Sequence, residues 1–197
     1  TAVDETRPTA ALPGQSMLAG LVANALGYRA REGARLNRLE ERLVYGARRD
    51  RPGECFTDYQ NAHVQCGQTM WRWRTPGPLK RGGGTGYDNT QRYRDYVADG
   101  AVSVVLTFIA PDESPGLEDV ARALVRPARP LFLGRAGCPP SGLLYRGERV
   151  EATSVFEALA LVPACDGAAQ GDFFAQWPAE GMLSGPAGVE RRVVERP

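Results

Sequence analysis

Hydrophobic residues recur every three or four positions in two early segments of the chain, which is the spacing of a buried helix face. The first segment runs from Met17 to Leu26. Ser16 is a suitable N-cap for this helix, and Gly27 is a suitable C-terminal stop. A second, shorter helix is predicted to carry Leu36, Leu39 and Leu43.

The same periodicity predicts two helices in the second half of the chain. One begins near Ser114 and Pro115, keeps its apolar positions on one face, and ends at Pro127. The other begins at Ser154, which has the spacing of a capping box with Glu157, and continues to about residue 161.

Strands are predicted between these helices, in two pairs. Residues 43–49 and 54–59 flank the turn sequence Asp-Arg-Pro-Gly, which predicts a first hairpin. Residues 91–98 and 101–109 flank an Asp-Gly pair, a favoured hairpin turn, which predicts a second hairpin. Residues 188–195 are predicted to form a last strand.

Two segments lack regular periodicity. Residues 60–90 contain clustered glycines and alternating Trp and Arg, which predicts an inserted hairpin or a functional loop. Residues 164–197 are predicted to be an irregular C-terminal extension, Gly- and Pro-rich as far as residue 186, with that last strand inside it.

The order helix, hairpin, hairpin, helix and strand is most of a βαββαβ arrangement. We therefore predict an α+β class, with one ferredoxin-like (RRM-like) domain over residues 1–197. The first strand of that arrangement has no counterpart in the sequence. Since a bare sheet edge is rarely tolerated, we expect a missing N-terminal strand or a partner that covers its place.

Charge changes this picture only locally. The net charge is +1, and every cation except Lys80 is an arginine, for which a GC-rich genome is the simplest explanation. Between residues 60 and 96, however, six cations face two acids. Distribution matters more than the total for a nucleic-acid binder, so this basic segment is the candidate binding region.

Other classes of function find little support. The four cysteines match no zinc or redox spacing, and a single histidine is too few to complete a metal site, so no metal or cofactor is expected. No apolar run approaches the length of a membrane span. The start of the sequence is polar and shows no secretory signal, so we expect a cytoplasmic protein with reduced thiols.

Four segments, in order along the chain, carry a family resemblance. They read Thr-Arg-Pro-Thr at residues 6–9 with Pro-Gly-Gln-Ser at 13–16, Phe-Thr-Asp-Tyr at 56–59, Gln-Arg-Tyr-Arg-Asp-Tyr at 91–96, and Gly-Arg-Ala-Gly-Cys-Pro-Pro-Ser at 134–141. Together they resemble the CRISPR-associated Cas-five family of the RAMP superfamily, in its subtype I-E form. The sequence departs from the family pattern at Met17, where the family has Gly, and at Gln60, where it often has His.

The resemblance implies a ferredoxin-like RAMP domain with an inserted β-hairpin thumb, here at about residues 60–90. It also implies a non-catalytic subunit that caps the backbone of a type I surveillance complex (Cascade) and binds the 5′ handle of the crRNA. The implied partners are the crRNA, the large subunit and the last backbone subunit. Target DNA is reached only indirectly, through the complex.

Several side chains suit contact with an unpaired RNA strand, because Arg matches phosphate geometry and aromatic faces accept any base. Arg135, between two glycines, is the strongest single candidate. Arg92 and Arg94 are expected to share one strand face. A structural role is the alternative for each residue. The full set is Arg7, Ser16, Tyr59, Gln60, Trp71, Arg72, Arg74, Lys80, Arg81, Gln91, Arg92, Arg94 and Arg135.

Two other functions remain open from the sequence. The first is a metal-independent endoribonuclease that processes pre-crRNA, as in a related subtype. Its candidate residues would be Tyr59 or Tyr87, Lys80 and His63. The second is a general nucleic-acid binder unrelated to CRISPR.

Overall fold

A computed structural model of the protein describes residues 6–65, 87–147, 149–168 and 174–178. Helices and strands alternate irregularly along the chain. The elements are β1 (Thr6–Arg7), α1 (Gln15–Ala25), α2 (Gly33–Arg42), β2 (Leu43–Arg51), β3 (Glu54–Gln65), β4 (Tyr87–Ala98), β5 (Ala101–Phe108), α3 (Leu117–Val125), α4 (Val155–Leu161) and β6 (Phe174–Gln176).

All four predicted helices are present, with corrections at three ends. Leu43, predicted in the second helix, belongs to β2, and α3 begins at Leu117 after an N-cap at Gly116. The N-cap of α1 is Gly14, so Ser16 lies inside the first turn and is not the cap. Gly27 follows the last turn with φ +82°, a conformation that favours glycine, as expected for a C-terminal stop. Ser154 caps α4 as predicted, because its hydroxyl accepts a hydrogen bond from the Glu157 amide at 3.0 Å.

Both predicted hairpin pairings are wrong. β2 pairs antiparallel with β5, and β3 pairs antiparallel with β4. The described strands therefore form two three-stranded sheets, in the orders β5-β2-β6 and β1-β4-β3. The turn sequences at residues 50–53 and 99–100 mark places where the chain passes from one sheet to the other.

This nested pairing makes β3 and β4 a hairpin inserted between β2 and β5. The chain accordingly divides into two compact units. We call Thr1–Thr9 with Gly53–Ala98 the ribbon unit, and Ala10–Pro52 with Asp99–Pro197 the core unit. The pairing of β3 with β4 begins at Glu54 opposite Ala98, and the thumb predicted at about 60–90 stays a prediction.

Two short strands were not predicted. β1 has two residues and pairs in parallel with β4, whereas β6 has three residues and lies inside the extension predicted to be irregular. The last strand predicted at 188–195 falls outside the described residues, as does the middle of the basic segment, residues 66–86. The described residues show a mixed helix and strand fold, and the ferredoxin-like arrangement stays a prediction.

The hydrophobic core lies in the core unit, where α1 packs against α2 and α3. Its buried residues come from five elements, so the helices and the β2–β5 pair share one apolar interior. Burial of such side chains is the main favourable contribution to folding. The members are Leu18, Ala19, Val22, Ala23, Leu39, Leu43, Phe108 and Val120.

Arg42 is buried at the end of α2 and stabilises a loop from within. Its guanidinium donates hydrogen bonds to the carbonyl oxygens of Ala110, Glu113 and Pro115 at 2.6–3.2 Å. It also lies 4.9 Å from the centre of the Phe108 ring. Arg42 therefore provides hydrogen-bond donors for backbone carbonyl oxygens in the loop that follows β5.

A buried ion pair lies near the end of β2. Arg48 donates to one oxygen of Asp50 at 2.6 Å, and Ser103 and the Cys165 amide donate to the other at 2.6 and 3.0 Å. Burial on its own raises the pKa of Asp50, but these hydrogen bonds outweigh burial and lower that pKa below its usual value. The pair joins β2, β5 and the segment after α4.

Among the described residues, none of the helices has both the length and the hydropathy needed to cross a bilayer.

We expect Asp50→Asn to lower the free energy of unfolding by about 3–5 kcal/mol, because it leaves the charge of Arg48 buried without its counterion. The lowered pKa of Asp50 means that its contribution is complete above the usual carboxyl pKa of about 4 and is lost as pH falls below it. In urea unfolding, the free energy of unfolding should therefore decrease less between pH 7 and pH 3 in the variant than in the parent protein. Glu118→Gln is the control, since Glu118 and Arg149 form an exposed pair worth less than about 1 kcal/mol.

Two glycine substitutions should change stability in opposite directions. A Cβ at Gly46 would lie 2.7 Å from Cγ1 of Val155, so Gly46→Ala should separate α4 from β2 and cost about 1–3 kcal/mol. A Cβ at Gly20, inside α1, would have nothing within 4 Å. Gly20→Ala should stabilise by up to about 1 kcal/mol through helix propensity. Thermal unfolding of both variants checks this, and a neutral Gly46→Ala would contradict the close packing of α4.

Candidate nucleic-acid interface

The ribbon formed by β3 and β4 has two faces of different chemistry. Its antiparallel register is unbroken from Glu54 opposite Ala98 to Gln65 opposite Tyr87. Because side chains alternate along a strand, residues of one parity share a face. The even face carries the pairs Phe56–Tyr96, Asp58–Arg94 and Gln60–Arg92, and the odd face carries Cys55–Val97, Thr57–Asp95 and Tyr59–Tyr93.

The even face combines aromatic rings with cations. The rings of Phe56 and Tyr96 are stacked, with centres 5.6 Å apart and planes 21° apart, and Phe56 is 51% exposed. Arg92 and Arg94 precede Tyr96 along β4 and are half-buried. The prediction that the two arginines share one strand face is confirmed.

Polar neighbours modify the charge of the even face. Asp58 lies opposite Arg94 in the register, and the amide of Gln60 donates to the carboxylate of Asp58 at 2.8 Å. Arg94 also donates to the carbonyl oxygen of Tyr93 at 3.3 Å. Glu54, opposite Ala98, is a second acid at an even position, so the even face from Glu54 to Gln60 and along the β4 residues opposite carries two acids and two arginines, and its cations are local to Arg92 and Arg94.

The odd face has no cation at its described positions. Tyr59 and Tyr93 form a tilted ring pair with centres 5.2 Å apart. The hydroxyl of Thr57 donates to the carboxylate of Asp95 at 2.7 Å. Tyr59 therefore lies on the opposite side of the ribbon from Arg92 and Arg94, although all three are candidates for RNA contact.

Two further candidates are placed by backbone register alone. β1 sets Arg7 opposite Arg94, which makes Arg7 the neighbour of an even-face arginine. Gln91 lies opposite Asn61, at a position of the odd parity.

Arg135 lies in the core unit, in a loop with a defined backbone. The Arg135 carbonyl accepts a hydrogen bond from the Cys138 amide at 2.9 Å, and the Leu133 amide donates to the Cys138 carbonyl at 2.8 Å. Gly134 has φ +82°, a conformation that favours glycine. The loop thus holds a half-buried arginine in a tight turn.

Ser16 has a structural partner. Its hydroxyl donates to the carboxylate of Glu40 at 2.5 Å, and the neighbouring Gln15 donates to the Glu40 carbonyl at 2.7 Å. These bonds tie the first turn of α1 to the end of α2. The carboxylate beside Ser16 also weakens the case for a phosphate at this position.

The other RNA-contact candidates lie outside the described residues, namely Trp71, Arg72, Arg74, Lys80 and Arg81. The same holds for the lysine of the endoribonuclease hypothesis. Tyr59 and His63 are four residues apart on β3, which corresponds to about 13 Å along a strand. Tyr87, the alternative to Tyr59, lies opposite Gln65 in the register.

Phe56 and Tyr96 are not among the site residues predicted from the sequence, although their rings stack on the same face as Arg92 and Arg94. Each belongs to a quoted motif, but their stacking depends on the register between β3 and β4, which a single sequence does not reveal. The described part of the chain holds no cluster of His, Cys, Asp or Glu that suits a metal ion.

The protein has a mixed helix and strand fold, and one face of its ribbon carries aromatic rings and two arginines. Comparison with known proteins gives its family. The family model described as CRISPR-associated protein (Cas_Cas5) matches residues 1–192. The chain therefore belongs to this family, and the Cas-five resemblance is confirmed.

Individual relatives agree with the family match. The chain is 26% identical over 142 residues to the CRISPR system Cascade subunit CasD of Escherichia coli (strain K12), covering 72% of this chain and 61% of that protein. A solved chain from a CRISPR RNA-guided surveillance complex is 28% identical, with a TM-score of 0.51, covering 72% of this chain and 54% of the other. A crystal structure of a Cas protein is 26% identical, with a TM-score of 0.49, covering 80% and 60%. The chain thus spans 54–61% of the length of the first two relatives.

Proposed function

We propose that the protein is a non-catalytic subunit of a type I CRISPR surveillance complex and that it binds the 5′ handle of the crRNA. The observation that carries the proposal is the family match over residues 1–192. The similarity to CasD and to a chain of an RNA-guided surveillance complex supports the same assembly.

The chemistry of the ribbon suits a single-stranded RNA. Arg92 and Arg94 share one face and supply planar forks that match phosphate oxygens. Unpaired bases can be splayed and stacked on aromatic rings, which a duplex does not permit. The protein as a whole carries a net charge of only +1, so binding would depend on this local surface and not on a general positive field.

The proposed partners follow from the same family membership. The subunit would contact the large subunit and the last backbone subunit, and would meet target DNA only through the assembled complex. No cofactor is needed for this function, since binding uses side chains and backbone amides.

A double variant, Arg92→Ala with Arg94→Ala, and a single variant, Arg135→Ala, should each reduce the crRNA that co-purifies with the assembled complex. The reason is the loss of phosphate contacts, which also lowers the salt slope of RNA affinity by about 1 for each contact removed. The measurement is the RNA-to-protein ratio at increasing salt concentration.

Arg122→Ala is the matched control, because Arg122 is an exposed arginine of α3 that pairs with Asp119 at 2.5 Å. It should leave the RNA content unchanged. Full RNA content in both test variants would contradict the proposal.

The non-catalytic assignment has its own test. Incubation of the protein with repeat RNA in EDTA should leave the RNA intact. Cleavage at a defined position, abolished by His63→Ala, would instead establish a metal-independent endoribonuclease.

A further inference from the structure

We propose that Phe56 and Tyr96 form a stacking platform for one unpaired nucleobase on the even face of the ribbon. This inference rests on the proposed function and deepens it, because it names side chains that would hold a base while the arginines hold the backbone. The ligand is a single-stranded RNA segment.

The ring geometry of Phe56 and Tyr96 suits the stacking of a base. The two rings lie across the strands from each other, 5.6 Å apart and only 21° from parallel. Phe56 is nevertheless 51% exposed, so much of this aromatic surface stays accessible. Stacking of a base on such a surface is favourable and tolerates any base, since every base has a π face.

The neighbouring arginines of β4 suit contact with the phosphates beside a stacked base. Tyr96, Arg94 and Arg92 occupy successive even positions of β4, so their Cα atoms follow one another by about 7 Å on one face. A nucleotide stacked at Phe56 and Tyr96 would therefore place its adjacent phosphates within reach of two guanidinium groups. Aromatic rings beside arginines are the combination that single-strand binding surfaces use.

The odd face of the same ribbon provides the contrast. Tyr59 and Tyr93 also form a ring pair, with Tyr59 49% exposed, but the odd face has no cation among the described residues. Its only charged group there is Asp95, which accepts a hydrogen bond from Thr57. The even face therefore offers two guanidinium groups to phosphates, beside the acids Glu54 and Asp58, whereas the odd face offers none among the described residues.

The test uses the full chain and a labelled single-stranded oligoadenylate of about ten nucleotides that contains 2-aminopurine. We expect Phe56→Leu with Tyr96→Leu to weaken binding about 5- to 100-fold and to abolish the quenching of 2-aminopurine fluorescence. The salt slope should stay unchanged, because no phosphate contact is removed. Leucine keeps an apolar side chain in the strand, and thermal unfolding checks the fold of the variant.

Two further variants complete the comparison. Phe56→Tyr with Tyr96→Phe keeps both rings and should bind like the parent protein. Tyr59→Leu with Tyr93→Leu is the matched control on the odd face, and it should change affinity less than about 2-fold if bases stack only on the even face.

Three outcomes would overturn the platform. If the Phe56 and Tyr96 variants bind normally while loss of Arg92 and Arg94 weakens binding, the platform is wrong and the proposed function stands. If neither these variants nor Arg135→Ala affects RNA, both the platform and the proposed function are wrong. If the Phe56 and Tyr96 variants keep RNA affinity but lose association with other subunits, the even face docks on protein.

Discussion

The pairing of β2 with β5 is the constraint on which the rest of the structure depends, because it forces the intervening residues to form their own hairpin. Arg51, at the end of β2, is bonded to the point where the chain returns before β5. Its guanidinium donates to the carboxylate of Asp99 at 2.7 Å and to the Asp99 carbonyl at 2.6 Å. Asp99 has φ +54°, an uncommon conformation that Asp tolerates better than most residues. Beyond Arg51 and Asp99 the chain is free to pair as β3 and β4.

The buried pair of Arg48 and Asp50 lies beside this point and fixes the end of β2. The Asp99 side chain is 79% exposed, so its bond to Arg51 contributes little energy and mainly defines geometry. Asp50, by contrast, is fully buried and must keep its partners. At the same end of β2, the exposed ion pair therefore mainly defines geometry, whereas the buried ion pair has to be kept for stability.

The helices could be predicted from the sequence because their signals are local. Apolar spacing, Gly27 after α1 and the Ser154 cap all act within a few residues of the element that they define. Strand pairing is different. A turn sequence predicts that the chain changes direction, but it does not predict which strand the next strand pairs with. Asp-Gly at residues 99–100 looks like a hairpin turn, yet it joins strands of two sheets. β1 and β6 are too short to show any periodicity.

The candidate site was predictable in composition but not in arrangement. Alternation within β4 correctly grouped Arg92 with Arg94, since that rule needs only one strand. Grouping Phe56 with Tyr96, and separating Tyr59 from the arginines, required the register between two strands. A shift of one residue in that register would exchange the two faces.

The arginine content illustrates why charge has to be interpreted through structure. Arg42 and Arg48 are buried and donate to carbonyl oxygens or to a buried carboxylate. Arg129 donates to the carbonyls of Gly27 and Tyr28 after α1, at 2.6 and 2.8 Å. These arginines bind acceptors inside the core unit, so their charges serve the fold there. The even-face arginines are the contrasting case, because they share a face with the exposed ring of Phe56. In the proposed function, one RNA strand would contact the guanidinium groups through its phosphates and the ring through an unpaired base.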